Sequence, residues 1–149
     1  MRIDFYHLEQ TPLERALPVI VDRAYQQGAR ILIKTSLAER SEYINSLLWT
    51  YDPGSFLPHG VEKDGWTDMQ PVYITHKPDD HPNGATLLMI VDGDEVPTNG
   101  AFERVLYFFN GQDAEALAKA RAEWKRIKET NGQLFYWKQD PTGRWEQKV

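Results

Sequence analysis

Four side chains that can bind a metal ion lie close together in one short segment, at His76, Asp79, Asp80 and His81. Imidazole nitrogens and carboxylate oxygens are common ligands of divalent transition metals. The same segment is rich in proline, asparagine and glycine, which is typical of a turn exposed to solvent. A turn is therefore the favoured interpretation, and a metal site is the alternative.

The residue types of a hydrolase triad occur at Asp52, Ser55 and His59. All three lie in one loop, whereas a working triad is assembled from separate elements, and no G-x-S-x-G elbow presents the serine. We therefore interpret His59 as a residue that hydrogen-bonds to the backbone or lies at a contact surface, and we expect no catalytic residue.

The turns after the first two expected strands contain no glycine. They read His7-Leu8-Glu9-Gln10 and Lys34-Thr35-Ser36, so neither matches G-x-G-x-x-G or G-x-x-x-x-G-K-[ST]. Glycines let the backbone approach a pyrophosphate closely at a helix N-terminus. The sequence thus predicts no bound nucleotide or other cofactor, and a nucleotide-dependent enzyme remains an alternative.

Basic residues are concentrated between positions 119 and 128, where five cations and one carboxylate, Glu123, give a net charge of +4. At helical spacing, Arg121, Lys125 and Lys128 share one face and border the apolar positions around Trp124. One interpretation is a solvated helix whose late positive charges suit the C-terminal end of the helix dipole. The other is a surface that binds an acidic peptide through Arg121, Trp124, Lys125 and Lys128.

Residues 48–60 combine large apolar side chains with proline and glycine, which prevent a continuous helix or central strand. Apolar groups in an irregular segment either pack beneath it or are presented to a partner, and Trp49 and Phe56 are of types favoured at interfaces. The segment therefore predicts a docking surface for another protein.

The chain has 149 residues, no cysteine and a formal net charge of −5. This length suits a single domain over residues 1–149. The lack of cysteine excludes disulfide scaffolds and thiolate metal sites, and the negative charge argues against nucleic-acid binding over the whole surface. No secretory signal or membrane-spanning stretch is visible, so we expect a cytoplasmic protein without membrane contact.

The first half of the chain alternates strands and helices. The segments Thr11-Pro12-Leu13-Glu14 and Ser36-Leu37-Ala38-Glu39 both have the spacing of a capping box at a helix start. Pro18 is expected to kink the first helix or to mark where its main body begins. The pattern predicts, in order, a strand over residues 2–8, a helix ending at Gly28, a strand over 31–33 and a helix over 37–49.

The second half continues with strands, one long helix and a hairpin. The predicted strands cover residues 72–75, 86–92 and 104–109, the helix covers 113–130, and the hairpin joins 134–138 to 145–148. Strands that alternate with helices predict a three-layer α/β/α domain with a mostly parallel central sheet. It would be Rossmann-like, without the phosphate-binding glycine loop.

Several segments together resemble the chi subunit family of the bacterial DNA polymerase III clamp-loader assembly. The resemblance covers nearly the whole chain. Its most specific parts are Leu48-Trp49, Ser55-Phe56-Leu57-Pro58-His59, Asn83-Gly84-Ala85, Val91-Asp92-Gly93, the pattern Arg121, Trp124 and Lys125, and the terminal Gly143-Arg144-Trp145.

The resemblance implies a non-catalytic adaptor, in which polymerase activity belongs to the whole assembly. Chi proteins bind the acidic, phenylalanine-terminated tail of single-stranded-DNA-binding protein and connect it to the clamp loader through the psi subunit, so any association with DNA is indirect. By this resemblance, Arg121 and Lys125 meet the carboxylates of the tail beside Trp124. The psi interface would comprise Trp49, Phe56, Leu57, Pro58 and His59.

One position departs from the family pattern. Leu117 stands where a further basic residue is expected one helical turn before Arg121, which would weaken the tail site or shift it toward Lys128. The partner of the apolar surface is open: it could be psi, another replication or repair protein, or a second copy of the chain. Direct nucleic-acid binding through the basic helix is a further alternative.

Overall fold

The computed structural model describes residues 1–52, 54, 56–130 and 132–149. The predicted elements are present, with small shifts at their ends, and one turn of 3-10 helix is added at Glu62–Asp64. The elements are β1 (Arg2–Leu8), α1 (Leu13–Gln26), β2 (Ile31–Lys34), α2 (Ala38–Thr50), β3 (Val72–Thr75), β4 (Leu87–Ile90), β5 (Arg104–Asn110), α3 (Ala114–Lys128), β6 (Gln133–Gln139) and β7 (Trp145–Gln147).

The strands form one sheet in the order β3-β2-β4-β5-β1-β6-β7. Every neighbouring pair is parallel except the β6–β7 hairpin. Side chains of α1 and α2 belong to the apolar cluster on one face, and side chains of α3 belong to the cluster on the other. This arrangement confirms the predicted mixed α/β architecture with a mostly parallel sheet.

The middle of the sheet is buried because its strands are apolar on both faces. All four residues of β3 and of β4 are buried, as expected of parallel strands with packing on each side. The largest side chains with almost no exposure are Tyr73, Tyr107, Phe5 and Phe108. Among the described parts of the chain, no helix is long and apolar enough to cross a membrane.

The end of α1 agrees with the prediction at Gly28. Gly28 has φ of +89°, and its N–H donates to the carbonyl of Tyr25 while the N–H of Ala29 donates to Ala24. This is a Schellman motif, in which glycine takes the left-handed conformation without steric cost. Pro18 is buried inside α1, which continues through it, so Pro18 does not mark the start of the helix.

Neither predicted capping box is formed. Pro12 and Leu37 occupy the N-cap positions of α1 and α2, and neither helix start has a side-chain cap. The hydroxyl of Ser36 instead lies 3.3 Å from a carboxylate oxygen of Asp92, which also accepts from the backbone N–H of Ser36. Ser36 therefore hydrogen-bonds to a residue more than fifty positions away in the chain and does not form the cap of α2 that its local spacing had predicted.

A buried carboxylate ties β1 to both of its neighbours. Asp4 is fully buried, and its oxygens accept hydrogen bonds from Arg2, from Nε of Arg104 at 2.9 Å and from the indole N–H of Trp137 at 3.0 Å. Two guanidinium groups thus compensate the charge that burial would otherwise disfavour.

Gln139, at the end of β6, holds the turn between β1 and α1. Its side chain is buried, and its Oε1 accepts from the backbone N–H groups of Glu9, Gln10 and Thr11 at 3.4, 3.1 and 3.0 Å. Its amide also donates to the carbonyl of Gly143. One side chain therefore satisfies three backbone donors and links the turn to the terminal hairpin.

Gln139→Ala is expected to lower the free energy of unfolding by about 1–3 kcal/mol, because it removes the acceptor from several backbone donors at once. Chemical denaturation measures the change. Gln147→Ala, in the exposed strand β7, is the matched control and should alter stability by less than about 0.5 kcal/mol. Equal effects of the two substitutions would show that the contacts of Gln139 with the turn contribute little.

Candidate functional site

A crevice of about 1250 Å³ opens at the carboxyl ends of β1, β2, β4 and β5. It lies where connections leave adjacent strands toward opposite faces of the sheet, since α1 follows β1 on one face and α3 follows β5 on the other. Ligands of open α/β sheets commonly bind at this position. The crevice therefore lies where open α/β sheets most often hold a ligand.

Side-chain oxygens accept hydrogen bonds from backbone N–H groups at three places around this crevice. Gln139 fills the turn after β1, and Asp92 accepts from the backbone N–H of Ser36 at the start of α2. Asp113 caps α3 by accepting from the N–H groups of Glu115 and Ala116. Several backbone donors around the crevice are thus bonded to side chains of the chain itself.

The four potential metal ligands are not brought together. The carboxylate of Asp80 accepts from the hydroxyls of Tyr73 at 2.8 Å and Thr75 at 2.6 Å, and burial, followed by this bond, raises the pKa of Tyr73. Nε2 of His81 lies 2.7 Å from the carbonyl of Ala85. Within the described residues, no three histidine or acidic side chains are arranged to hold a metal ion.

His59 is directed at the backbone. Its Nδ1 lies 2.6 Å from the carbonyl of Leu57 and its Nε2 lies 2.9 Å from the carbonyl of Asn45. The indole of Trp49 covers the ring, with centroids 4.2 Å apart. Ser55 falls outside the described residues, and Asp52 accepts from the N–H of Gly54. His59 therefore has the backbone-bonding role favoured above.

Trp49 and Phe56 present large apolar surfaces to solvent, with 50% and 73% of their surface exposed. Pro58 is half-buried, and we call these three residues the aromatic patch. Leu57 and His59 were expected at the same interface, but they are only 2% and 4% exposed. Leu57 packs in the core and His59 lies under Trp49, so both support the patch from below.

The basic residues of α3 fall into two groups. Nε of Arg126 lies 2.6 Å from the carboxylate of Glu123, which is buried and also accepts from the backbone N–H of Val96 at 2.6 Å. This pair joins α3 to the loop after β4. Among the described residues, none forms an ion pair or hydrogen bond with the remaining side chains, Lys119, Arg121, Lys125 and Lys128.

Trp124 is half-buried between α3 and the sheet. Its ring meets Phe5 edge-on at 5.3 Å and Tyr136 of β6 edge-on at 5.6 Å between centroids. Arg121 and Lys125 are exposed on the turns that flank Trp124, and Lys128 follows on the same helical face. Aromatic side chains and unpaired cations are thus side by side.

Strand β6 adds two residues beside the cations and Trp124 of α3, and the sequence alone had not pointed to them. Tyr136 and Lys138 alternate toward α3, and Arg121 is close enough to Tyr136 to oppose the rise that burial causes in the tyrosine pKa. Nζ of Lys138 lies 3.6 Å from the carboxylate of Glu9. We call Arg121, Trp124, Lys125, Lys128, Tyr136 and Lys138 the α3–β6 surface. Alternation along β6 would have indicated Tyr136 and Lys138 if its parallel pairing with β1 had been known.

The fold and these surfaces define a doubly wound α/β protein with an internally bonded crevice and two chemically different exposed surfaces. Comparison with known proteins then identifies its family. Residues 1–134 match the family model described as DNA polymerase III chi subunit, HolC. The chain belongs to this family, which confirms the resemblance noted in the sequence.

A curated relative carries the same description. The chain is 28% identical over 95 residues to the "Probable DNA polymerase III subunit chi" of Rickettsia prowazekii (strain Madrid E). The alignment covers 64% of this chain and 57% of the length of the Rickettsia protein.

Arg126→Ala is expected to lower the free energy of unfolding by about 2 kcal/mol, because it leaves the buried carboxylate of Glu123 without its cation. The half-exposed position of Arg126 keeps the cost below that of a fully buried pair. Lys125→Ala, on the same helix but unpaired, should change stability by less than about 0.5 kcal/mol. Urea denaturation of both variants makes the comparison, and a neutral Arg126→Ala would contradict the structural role of the pair.

Proposed function

We propose that this protein is a non-catalytic adaptor of the DNA polymerase III holoenzyme in the cytoplasm. In this proposal, the α3–β6 surface binds the acidic C-terminal tail of single-stranded-DNA-binding protein. The aromatic patch binds psi, or a protein that replaces it, and so reaches the clamp loader. Family membership over residues 1–134 supports a role in replication, and the two exposed surfaces support a bridge between partners.

The observation that carries the proposal is the set of unpaired cations beside an aromatic pair. Arg121 and Lys125 flank Trp124, whose ring contacts Tyr136. Guanidinium and ammonium groups form charge-assisted hydrogen bonds with carboxylates. The exposed edges of the two rings offer an apolar contact for a terminal phenylalanine. The chemistry of an acidic tail that ends in phenylalanine matches both parts.

Lys138 can provide the positive charge that is missing at Leu117. Leu117 is half-buried against the apolar cluster beneath α3, so it contributes packing and no charge. Lys138 lies on the neighbouring strand, and both Lys138 and Arg121 are close enough to His7 to lower its pKa. In our proposal Lys138 supplies, from the sheet, the cation that the helix lacks at position 117.

Tethering is the proposed mechanism. A short tail that meets a few exposed cations binds with modest affinity, and that affinity weakens as salt screens the charges. Single-stranded DNA coated with its binding protein carries many tails. Repeated tails raise the effective concentration at the adaptor, so a modest single-site affinity becomes useful avidity.

Arg121→Ala is expected to weaken binding of a synthetic tail peptide by more than about 1 kcal/mol, because it removes a charge-assisted contact. Isothermal titration calorimetry measures the loss. Lys119→Ala is the matched control: it removes the same charge from the same helix, but the Lys119 side chain lies toward Gly93 at the crevice. Naked single-stranded DNA as a second ligand tests the alternative of direct nucleic-acid binding.

Equal weakening by Arg121→Ala and Lys119→Ala would mean that only the general charge of α3 attracts the peptide. Unchanged binding by Arg121→Ala would remove this residue from the site. Tight binding of naked DNA that competes with the peptide would favour the nucleic-acid module instead.

Trp49→Ala and Phe56→Ala should each abolish co-purification with co-expressed psi while tail-peptide affinity stays within about twofold of the parent value, because the two surfaces are separate. Val19→Ala is the control, since Val19 is also 51% exposed but lies on α1. Loss of both activities in the patch variants would indicate a folding defect. Retained psi binding would mean that the aromatic patch binds a different partner. Sedimentation analysis would then show whether that partner is a second copy of the chain.

A further inference from the structure

His7 is buried directly behind the α3–β6 surface. It is 7% exposed, and its Nδ1 lies 2.5 Å from the hydroxyl of Tyr136. Its ring also contacts Phe109, with centroids 4.9 Å apart. The other ring nitrogen, Nε2, has no hydrogen-bond partner among the described residues. A buried polar atom without a partner is uncommon and calls for an explanation.

The carboxylate of Glu9 indicates which ring nitrogen carries the hydrogen. An oxygen of Glu9 lies 3.6 Å from Nε2, beyond hydrogen-bond distance but close enough to favour an N–H there over a lone pair. We therefore assign the hydrogen of neutral His7 to Nε2. Nδ1 is then the acceptor, and Tyr136 donates its hydroxyl hydrogen inward to it. The orientation of the Tyr136 ring is fixed from behind by this bond and from the front by Trp124.

Four charged or titratable groups face His7. Glu9 follows β1, Tyr136 and Lys138 belong to β6, and Arg121 belongs to α3. Burial is the largest influence and lowers the pKa of His7; Lys138 and Arg121 lower it further, whereas Glu9 raises it. The imidazole is thus neutral at neutral pH and gains charge only in more acidic solution.

Packing alone does not account for an imidazole at this position. The neighbouring buried residues Phe5 and Leu8 of β1 are apolar, and a leucine at position 7 would fill the space without a buried polar atom. What the imidazole adds is the short hydrogen bond to Tyr136. The function of His7 should therefore be sought in the surface to which Tyr136 belongs.

We propose that His7 is a positioning residue of the α3–β6 surface: it holds Tyr136 against Trp124, so that the aromatic contact for the phenylalanine of an acidic tail exists before the tail binds. This inference rests on the proposed tail-binding function and assigns a part of it to a buried residue outside the basic helix. A preformed contact avoids the entropy cost of ordering the ring on binding.

Gly111 offers a way to disturb His7 without altering the surface itself. A Cβ placed on Gly111 would lie 1.8 Å from Nε2 of His7, so alanine at this position must displace the imidazole. Gly111→Ala changes neither net charge nor any residue of the α3–β6 surface. If His7 positions Tyr136, displacing the imidazole should disturb the Tyr136 ring and so weaken tail binding.

Calorimetric titration with the tail peptide tests the proposal on the full chain. His7→Leu, Tyr136→Phe and Gly111→Ala should each lower the affinity by about three- to tenfold, the usual scale for one hydrogen bond. His7→Leu combined with Tyr136→Phe should lose no more than the more damaging single change, because both remove the same bond. His7→Asn, which keeps a polar group near the Nδ1 position, should recover most of the affinity.

The pH profile supplies a readout that a purely structural role would not move. Protonation of His7 in acidic solution puts a hydrogen on Nδ1, so this nitrogen can no longer accept from Tyr136. The parent protein should therefore bind the tail less tightly as the pH falls from neutral into the acidic range where His7 gains its proton. His7→Asn should show a flat profile over the same range. Thermal unfolding followed by circular dichroism shows whether each variant is folded, and if His7→Leu is not, Gly111→Ala and Tyr136→Phe decide the test.

Several results would overturn the proposal while tail binding by Arg121 stands. These are parent-like affinity in folded His7→Leu and Gly111→Ala, additive losses in the double variant, or the same pH profile in the parent and in His7→Asn. No binding of the peptide by the parent protein would instead refute the proposed function itself, so the two failures are distinguishable.

Discussion

The parallel pairing of β6 with β1 is the interaction on which the rest of the structure depends. It aligns Tyr6 with Trp137 and His7 with Lys138 across the two strands. Alternate residues of β6 then serve opposite faces of the sheet. Tyr136 reaches the α3 side, whereas Trp137 donates to the buried carboxylate of Asp4 on the other side. Gln139, at the strand end, satisfies the turn between β1 and α1. Strand β6 therefore completes the candidate binding surface and, through Gln139, also holds the turn between β1 and α1.

Side chains of the protein itself form hydrogen bonds around the crevice at the carboxyl ends of the strands. Gln139 and Asp92 accept from backbone N–H groups that precede α1 and α2, and Asp113 caps α3. The two candidate binding surfaces lie away from this crevice, on the outer side of α3 and at the end of α2. The α3–β6 surface is basic and aromatic, and the aromatic patch is almost wholly apolar. Surfaces of such different chemistry are consistent with the adaptor role that we propose.

The sequence predicted features that depend on local pattern. Apolar runs, helical spacing and Gly28 located the elements within a few residues, and the basic positions around Trp124 were evident from i, i+4 spacing. Features that depend on distant contacts were missed. The expected caps failed because Gln139 and Asp92 organise those turns, and Leu57 and His59 are buried because the loop folds back on α2. Tyr136 and Lys138 could not be assigned to the surface, since nothing local shows that the last strands pair with the first.

We propose that the acidic tail binds the α3–β6 surface and leaves the aromatic patch open. The most direct test is an NMR titration of the protein with the tail peptide, followed through the indole N–H resonances of the five tryptophans. Trp124 reports on the α3–β6 surface, Trp49 on the aromatic patch, and Trp137 and Trp145 on the opposite face of the sheet. Binding of the tail at the α3–β6 surface should give a large, saturating shift of the Trp124 resonance, while the resonances of Trp49 and Trp145 stay in place. A shift at Trp49 with Trp124 unmoved would contradict this proposal.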